Sequence, residues 1–281
     1  MKIALMPNLT RAETKRVTDE ICLGLKNSGT EFFIDPDYSA EFEKSGAVFL
    51  DSGQAVKESD AVIAIGGDGS IIHAAKIAVR YGKPILGVNA GRLAFMAGLE
   101  GDEIRLISKL IDGEYTIDSR MLLRTEIYRG DTLVCEDFAL NECFVTNEER
   151  QRMFSVDLSL NGRKFADYLC DGVILATPTG STAYSLSAGG PVVDPELESI
   201  IFTPVCPHSL AGRSLMFKPN DRISVCSADG VNLYYSNDGG TPGLIEPDMR
   251  VDVSASDRKA DFIRIKSDSF IDILYKKLAQ R

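Results

Sequence analysis

The sequence predicts an α/β chain, with a parallel sheet and crossover helices in its first part and a mostly-β second part. Three observations carry this. Between Lys2 and Val88 short apolar runs alternate with stretches of helical periodicity. Ala61–Ile65 and Ile85–Val88 are apolar throughout, the pattern of strands covered on both faces. Beyond Gly113 the chain turns into short β-rich segments divided by turns.

Taken in order, Lys2–Met6 is a strand ended by Pro7, and Thr10 with Glu13 reads as a capping box. Val17, Ile21 and Leu25 recur at helical spacing until Gly29 stops the helix. Phe32–Ile34 is a second strand, stopped by Pro36. After Ala61–Ile65 comes a glycine-rich turn, then a helix from Ser70 to about Arg80. Tyr81-Gly82-Lys83-Pro84 breaks that helix before strand Ile85–Val88. This β-α-β-α-β order implies right-handed crossovers. A helix over Asp102–Ile111 ends at Gly113, so the α/β domain is 1–112. The mostly-β domain, 113–266, opens with Leu122–Tyr128, Leu133–Phe138, Phe154–Leu160 and Val173–Ala176. Asn161-Gly162 is a hairpin turn signal. Ile223–Cys226, Val231–Tyr235, Val251–Val253 and Phe262–Ile265 continue the pattern. In the last segment, 267–281, Phe270–Leu278 reads as a helix with Ile271, Leu274 and Leu278 on one face.

Composition bounds the function. The chain has 281 residues, 44% hydrophobic and 26% charged, enough to bury a core without staples. Its net charge of −10 argues against a nucleic-acid or anionic-membrane surface. A small anion held by local dipoles, basic side chains or metal stays compatible with it. Cys22, Cys135, Cys143, Cys170, Cys206 and Cys226 include no C-x-x-C pair, against zinc ribbons and thioredoxin-like chemistry. The N-terminal apolar run is too short for a signal peptide, and no stretch nears the ~18–20 apolar residues of a membrane span. The expectation is a cytoplasmic protein with reduced thiols.

Two segments stand out chemically. Gly66-Gly67-Asp68-Gly69-Ser70 joins a buried strand to a helix. Its glycines let backbone approach a ligand, and the helix start favours an anion. Asp68 repels phosphate, so it suits a general base or a ligand to a phosphate-bound Mg²⁺. The bland alternative is a tight turn with Asp68 as N-cap. The pattern is neither a Walker A loop nor a G-x-G-x-x-G turn. The second segment, Thr177–Pro191 (TPTGSTAYSLSAGGP), follows a strand and gathers hydroxyls and glycines. Hydroxyls suit ribose or phosphate oxygens, and Tyr184 offers a flat ring for stacking; a capped helix start is the alternative. Asn141-Glu142 and Asp171-Gly172 are weak alone. An amide beside a carboxylate suits a base edge and a sugar hydroxyl. His73 lies one turn into the helix after the glycine turn, and His208 sits in a Pro-rich segment; neither belongs to a Ser-His-Asp order or a metal-ligand pair.

Together these segments resemble the NAD kinase family, of bacterial type. The resemblance rests on Gly66–Gly69, Asn141-Glu142, Asp171–Pro191 and Thr203–Leu210 in that order, with Gly87–Met96 as a further similar loop. It implies a Rossmann-like N-terminal domain, a β-sandwich-like second domain, NAD bound between them, and a last helix returning to the N-terminal domain. It implies transfer of a phosphoryl group from a donor, usually ATP, to the 2′-hydroxyl of the adenosine ribose of NAD, giving NADP. Asp68 is then the base. Gly66, Gly67, Gly69 and Ser70 face the donor phosphates, and Asp68 and Gly69 also face NAD. Asn141 and Glu142 hold NAD at the nicotinamide side and shared ribose surroundings. Asp171 contacts the nicotinamide amide or a ribose. Thr182, Ala183, Tyr184, Ser185 and Ser187 line the NAD pocket, with Tyr184 against a base. His73, Phe95 and Arg152 match ligand-contacting positions. Mg²⁺ or Mn²⁺ arrives with ATP, polyphosphate is the other donor, and a homodimer or homotetramer is expected. Ser70 stands where the family more often has Thr, Ala94 replaces a usual Gly, and Asp238-Gly239-Gly240 resembles a D-G-Q element without its amide. Lipid or sugar kinases share the GGDG turn, but such a lipid kinase has no need of Asp171–Pro191. A nucleotide-sensing module is the non-enzymatic alternative, disfavoured by the intact Asp68 turn.

Overall fold

The computed structural model describes residues 1–91, 94–147, 152–208 and 212–278, with residues 277 and 278 as backbone only. The chain forms two compact units, one of Met1–Ser119 with Ala260–Arg281 and one of Arg120–Lys259.

The first unit runs β1 (Lys2–Pro7), α1 (Ala12–Asn27), β2 (Glu31–Ile34), α2 (Ser39–Phe42), β3 (Val48–Phe49), α3 (Ser52–Glu58), β4 (Ala61–Gly66), α4 (Asp68–Arg80), β5 (Ile85–Asn89), β6 (Leu99–Glu100) and α5 (Ile107–Asp112). Its strands are parallel, in the order β3-β2-β1-β4-β5, with β6 beside β5. β4 and β5 are buried along their whole length, which is why both read as unbroken apolar runs. Val17, Ile21 and Leu25 of α1 and Ile107 and Leu110 of α5 pack with Ile3, Leu5, Ile63 and Ile65. Ala4, Val62 and Ala64 alternate to the other face. There α3 touches β1, and α4 touches β4 and β5 through its buried side, Ile71, Ala74, Ala75 and Ala78. The crossovers after β1 and β4 therefore lie on opposite faces. The carboxyl ends of these neighbouring strands open a crevice, the usual ligand position in a doubly wound sheet.

Several local expectations change. The capping box does not form: α1 starts after Arg11, whose side chain makes no cap bond, while the Thr10 N–H donates to Asn8 Oδ1 (3.2 Å) and Glu13 pairs with Arg16. α4 begins at Asp68 rather than Ser70. The stretch between Pro36 and Asp60 carries α2, β3 and α3, short elements that leave no periodic signature; Asp51 caps α3 by accepting the Gly53 and Gln54 N–H groups. The helix expected over Asp102–Ile111 is a 3₁₀ turn at Ile104–Leu106 followed by α5, closed by Gly113 at φ +76°.

The second unit contains β7 (Thr116–Arg129, entering from the first unit), β8 (Thr132–Ala139), β9 (Glu142–Asn147), β10 (Phe154–Leu160), β11 (Arg163–Cys170), β12 (Gly172–Ala176), α6 (Tyr184–Ser187), β13 (Ile200–Val205), β14 (Leu215–Phe217), β15 (Ile223–Ser227), β16 (Leu233–Asn237), β17 (Gly243–Ile245) and β18 (Met249–Arg264, returning to the first unit). One antiparallel sheet has the order β14-β13-β12-β9-β16-β17. The other holds β11, β10, β15, the first part of β18, and β7 with β8. Alternate residues of both sheets meet in one core, among them Cys143, Val145, Val156, Val173, Leu175 and Val251. This is a β-sandwich. Asn161 (φ +52°) and Gly162 (φ +81°) form the hairpin turn between β10 and β11. Val251–Val253 and Phe262–Ile265, expected as separate strands, belong largely to β18, whose middle residues Asp257, Arg258 and Lys259 are exposed and hide its continuity. The last helix, α7 (Phe270–Leu278), belongs to the first unit; the Leu278 side chain lies outside the described residues. Among the described residues no helix is long and apolar enough to cross a membrane.

Candidate active site

In the first unit the glycine turn closes β4 and opens α4. A Cβ on Gly66 would lie 2.5 Å from Ser70 Oγ and 2.8 Å from Ser70 Cβ, so only glycine fits there. Gly67 is the extended N-cap residue, which makes Asp68 the first helical residue and not a cap. The Asp68 carboxylate instead accepts two distant backbone N–H groups, Phe95 at Oδ2 (3.0 Å) and Met96 at Oδ1 (2.9 Å). Such charge-assisted bonds fix the carboxylate in one orientation and tie it to the segment after β5. A Cβ on Gly67 or Gly69 would meet nothing within 4 Å. These two glycines are not demanded by packing, and they leave their backbone open to a ligand.

Ser70 accepts a hydrogen bond from Asn8 Nδ2 (2.9 Å), and the Asn8 N–H donates to the Ile65 carbonyl (3.0 Å). This joins the ends of β1 and β4. A cavity of about 230 Å³ opens beside them, lined by Asn8, Asp35, Ser52, Gly69, Ser70 and His73 among others. His73 is exposed on this wall, and Phe95 is half-buried where its amide reaches Asp68. Arg92 and Leu93 of the expected Gly87–Met96 loop lie outside the described residues; Ala94 is buried.

In the second unit Asn141 and Glu142 sit where β9 begins. Asp238, after β16, accepts the N–H groups of Leu140 (2.9 Å), Asn141 (2.7 Å) and Glu142 (3.2 Å). Thr177, after β12, donates its hydroxyl to the Leu140 carbonyl (2.6 Å) and its N–H to that of Asn141 (2.8 Å). The Thr177 hydroxyl also accepts the Gly180 N–H (3.0 Å). Gly180 is compulsory, because a Cβ there would lie 2.1 Å from the Asn141 carbonyl oxygen. The side-chain atoms Asn141 Oδ1 and Glu142 Oε2 are buried without a hydrogen-bond partner. Burial, and then the negative charge of Asp238, push the Glu142 carboxyl up to about 7, against a backbone N–H of Tyr184 that favours the ionised form.

The hydroxyl-rich block divides by direction. Ser181 bonds both backbone groups of Val193, and Ser185 Oγ pairs with Thr203 Oγ1 (3.0 Å); both serines are fully buried. Ser185 thus supports the turn, with its hydroxyl on Thr203. Thr182 and Ala183 are half-buried, and Ser187 is exposed. Tyr184 is 41% exposed, with its ring edge-on to Phe144 at 5.1 Å, so one aromatic face is held open. Glu142, Phe144 and Thr146 share the outer face of β9, because Cys143 and Val145 point into the sandwich core. Asp171 lies at the far end of this face, its carbonyl accepting from the Thr146 hydroxyl (2.9 Å). Arg152 is exposed near that end, its carbonyl accepting from Asn147 Nδ2 (2.9 Å). The expected residues therefore gather at two ends of one sheet face, ~14 Å apart by strand rise. Between them is a cavity of about 270 Å³ lined by Phe144, Thr146, Asn147, Tyr234, Ser236 and Pro242. Residues of this wall from β16 carried no site role in the sequence reading, and Asp238 entered it only within the Asp238-Gly239-Gly240 element, with no role of its own. The signal that could have found Asp238 is Asp-Gly-Gly directly after a strand. Of the Thr203–Leu210 segment, Ser209 and Leu210 lie outside the described residues.

Comparison with known proteins decides the family. The profile of the ATP-NAD kinase N-terminal domain matches residues 11–115, and that of the ATP-NAD kinase C-terminal domain matches 140–265. The chain belongs to the NAD kinase family. Curated relatives include an NAD kinase of Caldanaerobacter subterraneus subsp. tengcongensis, 35% identical over 100% of this chain and 99% of the relative. Another NAD kinase, from Symbiobacterium thermophilum, is 33% identical over 99% of each chain. Among solved structures, yeast NADH kinase complexed with NADH superposes with a TM-score of 0.90 at 23% identity, covering 99% of this chain and 87% of that one. An Archaeoglobus fulgidus NAD kinase in complex with ATP gives a TM-score of 0.77 at 24% identity, with both chains fully covered. In this NAD kinase family member the GGDG turn, the N-E pair and the TPTGSTAY block are thus set out on the fold those proteins share.

Proposed function

We propose that the protein phosphorylates NAD at the 2′-hydroxyl of its adenosine ribose, using ATP and producing NADP and ADP. The observation that carries this reading is Asp68, a carboxylate oriented by two backbone N–H groups at the start of α4 inside a glycine turn. Asp68 accepts the 2′-hydroxyl proton as the ribose 2′-oxygen bonds to the γ-phosphorus. The bond from that phosphorus to the β,γ-bridging oxygen breaks, and ADP leaves with the electron pair. Gly67, Gly69 and Ser70 receive the donor phosphates at the open backbone of the turn, while Gly66, buried at the end of β4, gives the turn its shape. Asn141 and Glu142 face NAD with their buried oxygens, and Tyr184 lies against a base. The span from Glu142 to Asp171 suits a dinucleotide rather than a mononucleotide.

A divalent cation, when bound, neutralises the donor phosphates. In this reading the cation, Mg²⁺ or Mn²⁺, arrives on ATP. Location in the cytoplasm, where the six unpaired thiols stay reduced, and assembly as a homodimer or homotetramer complete the proposal. The test is incubation of purified protein with ATP, Mg²⁺ and NAD, reading NADP with an NADP-specific dehydrogenase. No NADP above a protein-free control refutes it, and parallel arms with polyphosphate or NADH decide donor and acceptor preference.

A further inference from the structure

We infer that Asp238 is a positioning residue for the dinucleotide: its carboxylate fixes the Asn141–Glu142 backbone so that Asn141 Oδ1 and Glu142 Oε2 stand ready for hydrogen-bond donors of NAD. The inference rests on the reading that this pair holds NAD.

The geometry is a complete accounting of three residues. Asp238 takes the N–H groups of Leu140, Asn141 and Glu142, and its own N–H donates to the Glu142 carbonyl (2.9 Å). Thr177 takes the carbonyls of Leu140 and Asn141. Every backbone polar group from 140 to 142 therefore has a partner supplied by one of two residues. A backbone pinned in this way holds two acceptor oxygens buried and unpartnered, an arrangement with a cost that a ligand donor removes.

The anchor itself is built for the task. Asp238 and Gly239 adopt φ +54° and +67°, a left-handed pair that turns the chain back so the carboxylate meets the start of β9. Asn237 anchors the turn, accepting from Thr125 Oγ1 (3.1 Å) and donating to Asp137 Oδ2 (3.1 Å). The Gly240 N–H closes it on the Asn237 carbonyl (3.0 Å). Three adjacent N–H groups converging on one carboxylate from a residue far along the chain are more than strand pairing requires. The same carboxylate is the charged neighbour that, after burial, raises the Glu142 carboxyl. Besides Asp238, the Tyr184 N–H of α6 acts on the Glu142 carboxyl, and the Cys143 thiol stands next to it on β9. Asp238 thus fixes where Glu142 stands and adds to burial in raising its carboxyl.

The test uses the whole chain. Asp238→Asn tolerates the left-handed backbone and keeps one oxygen, but it removes the charge and turns an NH₂ toward one of the three amides. The expected result is a KM for NAD raised by about tenfold or more, with kcat and the KM for ATP within about threefold of wild type. The midpoint in the pH dependence of the NAD KM, expected near 7 from Glu142, moves to lower pH once the like charge is gone. A merely structural anchor would not move that midpoint. A folded variant with unchanged NAD KM and unchanged midpoint overturns the inference. If Asp238→Asn does not fold, Thr177→Val removes the hydroxyl that holds the Leu140 carbonyl from the other side of the same segment, and it should raise the NAD KM selectively. No rise, or an equal rise for ATP, overturns the inference. NADP formation by the unaltered protein is measured first. If it is absent, the proposed activity falls, and NAD affinities of wild type and Asp238→Asn from calorimetry decide this point: equal affinities, or no binding, overturn it.

Discussion

Replacing Asp68 by Asn tests the reaction most directly, because the structure separates two things the carboxylate does. It accepts the Phe95 and Met96 N–H groups at 3.0 and 2.9 Å, and in the proposed step it takes the ribose proton. Asn keeps one acceptor oxygen and so one of the two amide bonds, while its NH₂ opposes the other. Leaving one amide unpaired costs ~1–3 kcal/mol, a fall of a few degrees in Tm at ~2–4 °C per kcal/mol for a protein of this size class. Losing the base should lower kcat by about 10²–10⁴-fold, with the KM for NAD within about threefold of wild type. Asp68→Ala removes both amide acceptors as well as the base. If proton transfer dominates, Asn and Ala lose kcat equally and differ only in Tm. If Asp68 acts only by holding the 95–96 segment, Ala falls much further than Asn. The assay is the initial rate of NADP formation under saturating ATP and Mg²⁺, alongside thermal melting of each variant. A folded Asp68→Asn protein with near-normal kcat removes Asp68 from the base role.

Four further outcomes follow from the same geometry. Tyr184→Ala removes the open aromatic face beside Phe144 and should raise the KM for NAD more than it lowers kcat, by about 5–100-fold for a stacking contact of ~1–3 kcal/mol; an unchanged NAD affinity in calorimetry rejects stacking. Burial, and then the charge of Asp238, raise the Glu142 carboxyl in the folded state from its ordinary 4.5 to about 7. The folded protein then holds this proton more tightly than the unfolded chain, so stability is lost as pH rises from about 4.5 to about 7 and levels off above, by up to ~3 kcal/mol. Glu142→Gln should flatten that decline in chemical denaturation between pH 5 and 8, and a parallel curve for both proteins refutes the assignment. Gly66→Ala forces a Cβ onto Ser70 and should cost ~1–3 kcal/mol of stability. Gly67→Ala meets no atom, so it should leave the melting curve unchanged yet raise the KM for ATP; a normal ATP KM shows that phosphates do not approach there.

What the sequence made legible depended on how each feature is encoded. β4 and β5 were readable because burial on both faces writes an unbroken apolar run. β18 was not, since Asp257–Lys259 in its middle are exposed and break the apolar alternation. α2, β3 and α3 are too short for a periodic signal and are held by local polar bonds such as the Asp51 cap. The glycine turn and the Thr177–Pro191 block stood out by composition. The direction of each hydroxyl did not, because a 3₁₀ turn at Thr179–Thr182 runs into α6 and turns Ser181 and Ser185 inward while Ser187 faces out. The capping box failed because Asn8, whose N–H is bonded to the end of β4, takes the Thr10 amide first.

The acidic balance of the chain, −10 overall, looks ill-suited to two polyanionic substrates until the site carboxylates are examined one by one. Asp68 accepts two neighbouring backbone N–H groups, and Asp238 accepts three. In both units a carboxylate staples a loop through peptide dipoles. A charged acceptor forms stronger bonds to amides than a neutral one, and two oxygens can hold consecutive N–H groups that a single amide oxygen cannot. Negative charge is thus explained by what it positions: Phe95 and Met96 in the first unit, Asn141 and Glu142 in the second. Phosphate binding can then rest on the open amides of the glycine turn and a donor-borne cation, independent of the sign of the protein's total charge.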